Sequence, residues 1–259
     1  MLDHLLIREL IENWVLWRDS GHWKRFRGVW HSDGRMMATW FQGTGDQFIE
    51  ANKEGWARGV SILHFLGGTS IDIVGERAVA QTKMTISQRD HVEGVLCDVV
   101  CTGRFYDFLE KRSNRWGFVL RQPIYEKDRL DPVEPGALLQ LDTGLLNRFP
   151  EGYRHLAYLQ TRIGYTVKPD MPGLKGAAVE ALYRQGAIVA RRQLDYTREL
   201  ARLRFRLRSR IQVLVAKILS GFRPGDLPIE QARKLALVIN FRTAKSRGTL
   251  LSLADEAIE

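Results

Sequence analysis

The chain opens with apolar residues at helical spacing. This pattern predicts a helix over residues 3–18, with Asp19 at its C-terminal end. A second short helix is predicted over residues 22–30 and a third over residues 46–58, with a short strand over residues 35–40 between them. The apolar face of the first helix is formed by Leu6, Leu10, Trp14 and Trp17.

After residue 60 the pattern changes to alternation, which is typical of strands. Four β segments are predicted, over residues 60–74, 77–89, 94–109 and 115–125. Because the turns between these long strands are short, we expect an antiparallel, strongly curved sheet. Three N-terminal helices packed on one face of such a sheet give an α+β fold class.

Two further regions follow the sheet. Residues 131–187 begin with prolines and contain helical patterns over residues 138–149 and 177–185, so we predict a helical and loop extension that packs on the first domain. Residues 188–259 predict a basic helical tail, with a long helix over residues 191–219 and another over residues 229–244. The predicted organisation is therefore residues 1–130, 131–187 and 188–259.

Charge is concentrated in the tail. The net charge of the chain is +9, and residues 188–259 contain 15 Lys and Arg against 7 Asp and Glu. A basic amphipathic helix can contact nucleic acid or an anionic membrane. We favour the alternative, in which its Leu and Ile stripe docks on the domain or on a second subunit. The expected partners are a small-molecule substrate and further copies of the chain, in a homo-oligomer.

Composition narrows the class of protein. The sequence has no run of 18 apolar residues, and charges stand in its first residues where a signal peptide has its apolar centre. We therefore expect a cytoplasmic protein. Cys97 and Cys101 lie on one face of a strand, about 13 Å apart at ~3.3 Å per residue, too far for a disulfide. No metal-binding cluster, phosphate-binding loop or dinucleotide motif is present, so no cofactor is predicted.

The candidate chemistry centres on His64, the one titratable side chain in the apolar segment of residues 61–68. A lone histidine in a strand is ordinarily a packed core residue. An imidazole in an apolar pocket beside a carboxylate can instead take a proton near neutral pH. Asp19, at the end of the first helix, can supply that carboxylate.

Four segments resemble the SnoaL-like branch of the NTF2-like superfamily, which includes polyketide cyclases, scytalone dehydratase and hexachlorocyclohexane dehydrochlorinase. They are the end of the first helix, the entry to the first strand, the His64 strand and the last strand. In order, they are residues 17–23 (WRDSGHW), 29–35 (VWHSDGR), 63–68 (LHFLGG) and 115–121 (RWGFVLR). The resemblance covers about half of the chain.

The resemblance implies an NTF2-like cone, in which a curved sheet wraps around helices and encloses an apolar cavity. It implies that Asp19 and His64 form a dyad there, in which His64 takes a proton and Asp19 fixes its tautomer. It also implies that Arg121 stabilises a leaving anion or an enolate oxygen. A salt bridge on the outer face of the sheet is the alternative for Arg121.

Six further residues are candidates for substrate binding, each with packing as its alternative. Asp98 stands inside an apolar strand, and its pKa should rise if it faces the cavity. If it faces outward or pairs with Arg104, it is structural. The remaining candidates are aromatic side chains that can line a cavity or donate hydrogen bonds to a substrate: Trp14, Trp30, Trp40, Tyr106 and Tyr125.

These features predict a cofactor-independent lyase, a dehydratase or a related elimination enzyme, that acts on an apolar, ring-containing small molecule. An isomerase or cyclase with the same dyad begins with the same proton transfer and stays open as an alternative. A non-catalytic small-molecule-binding module is the second alternative, since the fold alone does not determine function.

Overall fold

The computed structural model describes residues 2–187 and residue 220. Residues 2–187 fall within one compact unit, Met1–Gln193. The helices predicted over residues 191–219 and 229–244 lie outside the described residues. Within the described part of the chain, no helix is both long and apolar enough to cross a membrane.

Three helices and six strands form the body of the fold. The helices are α1 (Leu2–Asp19), α2 (Trp23–Arg27) and α3 (Gly45–Ala57). The strands are β1 (Trp30–Met37), β2 (Gln42–Thr44), β3 (Ser61–Val74), β4 (Arg77–Val92), β5 (Val95–Arg112) and β6 (Arg115–Pro132). The α+β layout predicted from the alternating and helical patterns is confirmed.

The strands form one sheet in the order β2-β1-β6-β5-β4-β3. β3 to β6 make the predicted antiparallel meander, whereas β1 pairs with β6 in parallel. The predicted strand over residues 35–40 was misplaced, because extended backbone already begins at Trp30, where it pairs with Phe118 of β6. Long-range pairing, which local alternation does not reveal, sets this strand.

A left-handed glycine ends α1 and positions Asp19. Gly21 has φ +71°, and the amide of His22 donates to the carbonyl of Trp17 at 2.8 Å across the turn. Glycine has no Cβ and adopts this left-handed conformation without a clash. Helices commonly end at such a residue. The first helix therefore ends with its acidic residue at the edge of the core.

The core lies between the helices and the inward face of the sheet. α1 contributes Ile7, Ile11 and Trp14, and α3 contributes Phe48 and Ile49. Cys97 and Cys101 lie in the same core as free thiols, as their spacing predicts, and burial raises the pKa of each.

Residues 133–187 add α4 (Thr143–Leu146), α5 (Arg154–Arg162) and a helical segment over residues 177–187. The middle of α5, residues 156–160, is buried against the body of the fold. The helix predicted over residues 138–149 was too long, since Leu138 is 95% exposed and Pro150 disfavours helix in the preceding residue. Residues 177–187 pack on the opposite face of the sheet, through Val179 and Leu182.

Candidate active site

Asp19 and His64 meet in the structure. Asp19 Oδ1 lies 2.8 Å from His64 Nδ1, and Asp19 Oδ2 accepts the backbone N–H of His64 at 2.6 Å. The two oxygens of one carboxylate thus hold both the ring and the backbone of the histidine. With Asp19 ionised, Nδ1 carries the proton, and Nε2 keeps its lone pair.

Arg18 supports the carboxylate from the same helix. Its Nη1 donates to Asp19 Oδ1 at 3.1 Å and to the carbonyl of Ile62 at 3.2 Å, and its Nε donates to Asn52 Oδ1 at 3.0 Å. Asn52 is fixed in turn by a bond from its Nδ2 to the carbonyl of Phe48. A buried cation therefore fixes the position of Asp19.

Burial lowers the pKa of His64 below its ordinary value. Desolvation of the imidazolium is the main cause, and the positive charges of Arg18 and Arg121 add to it. Asp19 raises the pKa of His64 through its charge and its hydrogen bond, but this effect does not outweigh that of burial. The imidazole is accordingly neutral at neutral pH, which is the form that accepts a proton.

The pKa of Asp19 is also lowered. Burial raises the pKa of Asp19. The hydrogen bonds from His64, the charge of His64 when it is protonated and the charge of Arg18 together outweigh that effect. Asp19 is therefore an anion beside a neutral histidine. The pair can stabilise an imidazolium when His64 takes up a proton.

His64 lines a small cavity between the sheet and the helices. Its volume is about 30 Å³. The walls come from α1, α3, the strands and α5, and include Trp14, Arg18, Trp40, Gln88, Phe105, Tyr125, Leu156 and Gln160. A space of this size holds a water molecule, whereas sites for drug-sized ligands measure about 300 Å³ or more. A ring-containing ligand needs wall side chains to move.

Three of the aromatic candidates for substrate binding line this cavity: Trp14, Trp40 and Tyr125. Trp14 also contacts the His64 ring edge to face, with ring centroids 5.5 Å apart. Trp30 is buried but lies outside the cavity wall, where it packs on Phe118.

Arg121 does not line the cavity, and it does not form the outer-face salt bridge considered as its alternative. It is fully buried and makes a two-point ion pair with Asp107, with Nε–Oδ1 at 2.8 Å and Nη2–Oδ2 at 2.7 Å. Its guanidinium lies 4.1–4.4 Å from the ring centroids of Trp14, Phe105 and Phe118. The positive charge of Arg121 acts on His64 across the rings of Trp14 and Phe105.

Asp98 and Tyr106 lie away from the cavity, so the expectation that they face it is wrong. Asp98 forms a two-point pair with Arg89, on the face of β5 opposite Cys97 and Val99. That hydrogen bonding lowers the pKa of Asp98 rather than raising it. Tyr106 packs among the residues of the opposite sheet face, beside Tyr183.

Several polar residues of the cavity were missed in the sequence: Arg18, Thr39, Gln88 and Gln160. Thr39 Oγ1 donates to Gln160 Oε1 at 2.7 Å, which ties α5 to the segment after β1. Gln88 lies two residues after Ile86 on the inward face of β4, so alternation places it inward. Arg18 adjoins Asp19 in the sequence and gives no signal of its own.

A second aspartate–histidine pair was also missed. His155 Nδ1 lies 2.8 Å from Asp128 Oδ1, and the amides of His155 and Leu156 donate to Asp128 Oδ2 at 2.6 and 2.8 Å. This pair lies at the N-terminus of α5 and outside the cavity wall. Within residues 2–187, no group of three or more His, Cys, Asp or Glu side chains is arranged to hold a metal ion.

Comparison with known proteins indicates the family. A family model described as a SnoaL-like domain matches residues 1–122. The chain is 41% identical over 177 residues to a PEP2-like protein of Fusarium vanettenii, covering 67% of this chain and 76% of the relative. It is also 41% identical over 176 residues to pea pathogenicity protein 2 of the same fungus, covering 66% and 76%.

Among solved structures, a hexachlorocyclohexane dehydrochlorinase is similar at 10% identity and a TM-score of 0.43, covering 55% of this chain and 95% of that one. The SnoaL-like match spans the helix and the strand that carry Asp19 and His64. The chain belongs to the SnoaL-like family.

Proposed function

We propose that this protein is a cofactor-independent lyase, a dehydratase or a related elimination enzyme, with His64 as general base. The observation that carries the proposal is the hydrogen bond from Nδ1 of a buried, neutral His64 to Asp19, with His64 lining a small cavity. Nε2 makes no hydrogen bond to the residues that the structure describes, so its lone pair is available to a ligand.

In the proposed step, Nε2 of His64 takes a proton from a carbon atom of the substrate. The electron pair of the broken C–H bond forms a C=C bond to the neighbouring carbon, from which the leaving group departs with its bonding pair. When the leaving group is hydroxide, the imidazolium returns the proton to it, and the products are an alkene and water. No external oxidant or reductant is needed.

The positions of Asp19 and Arg18 fit this role. Asp19 keeps the proton of the neutral ring on Nδ1 and stabilises the imidazolium that forms during the step. Arg18 keeps Asp19 ionised and oriented, with Nη1 3.1 Å from Oδ1. Mutations of such orienting residues usually reduce the rate without abolishing binding.

The size of the cavity limits how a substrate enters. Leu156 and Gln160 of α5 form part of the wall, and the hydrogen bond of Gln160 to Thr39 is one contact that holds this side closed. We propose that an apolar small molecule enters by displacing these side chains. The ring carbons of the bound molecule then pack against Trp14 and Trp40.

Two alternatives share the site. An isomerase or cyclase begins with the same proton transfer and differs in where the electron pair and the proton finish. A binding module keeps the cavity without chemistry. A product that has lost water supports the lyase, a product of unchanged mass supports the isomerase or cyclase, and binding without any proton transfer supports the module.

The test uses 3-hydroxycyclohexanone, whose elimination product cyclohexenone absorbs in the ultraviolet, and cyclohexanone in D₂O, whose α-protons exchange if a base removes them. We expect both reactions with the wild type and a loss of about 10²-fold or more in His64→Ala. His155→Ala, which removes the other histidine of an aspartate pair, is the matched control and should retain the rate. Equal rates in wild type and His64→Ala would contradict the proposal.

A further inference from the structure

Gln88 is a buried amide without a protein partner. Its side chain is 1% exposed, and neither Nε2 nor Oε1 makes a hydrogen bond to the described residues. Buried amides in folded proteins are nearly always bonded to protein, water or a ligand. The amide lies in the wall of the His64 cavity, so its missing partner belongs inside that cavity.

The strand register brings Gln88 close to His64. His64 of β3 is opposite Ile86 of β4, and Gln88 is the next residue of β4 that faces the same way. Diagonal neighbours on antiparallel strands are about 7–8 Å apart. A single small molecule can therefore contact the ring of His64 with one atom and the amide of Gln88 with another.

Trp14 offers a second unpartnered group to the same space. Its indole Nε1 is buried and makes no hydrogen bond within residues 2–187, although the ring lines the cavity and contacts His64. Gln88 and Trp14 together present two kinds of N–H donor and one carbonyl acceptor. Such a set fits an oxygen-bearing ligand, a ketone or an alcohol, better than a hydrocarbon or a halocarbon.

Another glutamine of the cavity shows the contrast. Gln160 is also buried and lines the same wall, but its Oε1 accepts the hydroxyl of Thr39 at 2.7 Å. Its carbonyl therefore has a structural partner, whereas the carbonyl and the amide nitrogen of Gln88 both lack one. Gln122, a third buried glutamine, lies outside the cavity wall with its Nε2 bonded to backbone carbonyls, so it provides the control.

We infer that Gln88 is a specificity-determining residue, whose amide binds the oxygen of a ketone or alcohol held beside His64. Since His64 is the proposed base, this role deepens the proposed function and rests on it. A carbonyl bound in this way acidifies the neighbouring C–H, because the amide N–H stabilises the negative charge that develops on oxygen.

The experiment compares Gln88→Met with Gln122→Met, using cyclohexanone, cyclohexanol and cyclohexane as probes in ligand-observed NMR titrations. Methionine keeps the length of the side chain and removes the amide. In Gln88→Met we expect cyclohexanone binding to weaken about tenfold, as the loss of one hydrogen bond implies, with cyclohexane binding unchanged or tighter. Gln88→Leu provides a second apolar replacement if the methionine variant does not fold.

Gln122→Met should show the opposite pattern, with a lower melting temperature from the lost backbone bonds and an unchanged ratio of ketone to hydrocarbon affinity. A ratio that stays constant in Gln88→Met, or no binding of cyclohexanone to the wild type, would overturn the role of Gln88. In that case the amide is satisfied by trapped water.

Exchange of the α-protons of cyclohexanone by the wild type separates this inference from the proposed function. If Gln88 controls the ratio of affinities while the wild type exchanges no α-protons, the binding site stands and the lyase proposal fails. If the wild type exchanges α-protons and Gln88→Met leaves the ratio unchanged, the lyase proposal stands and the role of Gln88 fails.

Discussion

Two aspartate–histidine pairs in this protein share one geometry and differ in their surroundings. In both, Nδ1 lies 2.8 Å from one carboxylate oxygen, and the histidine amide donates to the other oxygen at 2.6 Å. In the first pair, Asp19–His64, the histidine lines a cavity and the carboxylate is bonded to the buried Arg18. The second, Asp128–His155, lies at the start of a helix, where Asp128 also accepts the amide of Leu156.

The two pairs differ in the hydrogen-bond donors that the carboxylate binds. Asp128 accepts two backbone amides of the first turn of α5, which a helix leaves without partners, and so it caps the helix. Asp19 accepts one amide, that of a strand residue, and is fixed by Arg18 instead. The hydrogen-bond geometry of a pair is thus a poor guide to chemistry, and the cavity and the charges around it are better ones.

The strongest test of this comparison is the paired removal of the two imidazoles. We expect His64→Ala to lower the rate of 3-hydroxycyclohexanone elimination by about 10²–10⁴-fold, since a positioned general base contributes that much. His155→Ala should leave the rate almost unchanged, because His155 lies outside the cavity wall. Initial rates at saturating substrate measure both, and a similar loss in the two variants would remove the distinction.

Leu156 links the two regions, because its amide binds Asp128 and its side chain lines the His64 cavity. Leu156→Ala keeps the capping bond and enlarges the cavity, so we expect a loss of about 2–5 kcal/mol in the free energy of unfolding. We also expect tighter cyclohexanone binding. Leu159→Ala, a fully buried neighbour outside the cavity wall, should destabilise similarly without changing ligand affinity. Urea unfolding and titration test both, and unchanged binding in Leu156→Ala would contradict entry past α5.

Loss of the cap should affect stability rather than catalysis. Asp128→Ala leaves two amides of α5 without an acceptor, and we expect a loss of about 1–3 kcal/mol in the free energy of unfolding. Asp131→Ala, which breaks an exposed pair with Arg129 on the same strand, is the control and should cost under about 1 kcal/mol. Equal midpoints in urea for the two variants would show that Asp128 does not cap α5.

The pH dependence should show the smallest effect. His64 must be neutral to act as a base, so activity falls as the pH drops through its pKa, which burial holds below its ordinary value of about 6.5. Asp19 raises that pKa, so Asp19→Asn should move the acid limb of the rate profile to lower pH. The limb of His155→Ala should match that of the wild type. An acid limb above pH 6.5 in the wild type would contradict a buried, neutral His64.

The same lowered pKa affects stability. The unfolded chain binds a proton at His64 near pH 6.5, and the folded chain does so only at lower pH. The unfolded state therefore takes up more protons in this window, and the stabilising contribution of neutral His64 is lost as the pH falls through it.

Arg121 shows why one prediction about the site was wrong. Counting back from the turn between β5 and β6 pairs Arg112 with Arg115 and Leu109 with Phe118, and the same count places Arg121 opposite Tyr106. A one-residue shift between Phe108 and Leu109 pairs Arg121 with Asp107 instead. Because side chains alternate between faces, this shift turns Arg121 into the core. Nothing in the local sequence signals it.

His64 and Asp19 were predictable for a different reason. The helix over residues 2–19 and the strand over residues 61–74 follow from apolar spacing, and the resemblance to the SnoaL-like branch joins their ends. Gln88 could have been predicted as a cavity residue, because alternation along β4 points it inward. An inward glutamine, however, has many possible partners. Only the surrounding atoms show that it has none among the described residues.

The sequence by itself determined most helices and strands, because apolar periodicity and short turns are local properties, and its resemblance to the SnoaL-like branch indicated the family. The tertiary structure decided which polar groups meet. The bulge in β6 pairs Arg121 with Asp107. The position of α5 places Leu156 and Gln160 in the wall of the His64 cavity. Those outcomes depend on register and packing between distant segments, and such contacts are set by the fold as a whole rather than by any stretch of the chain.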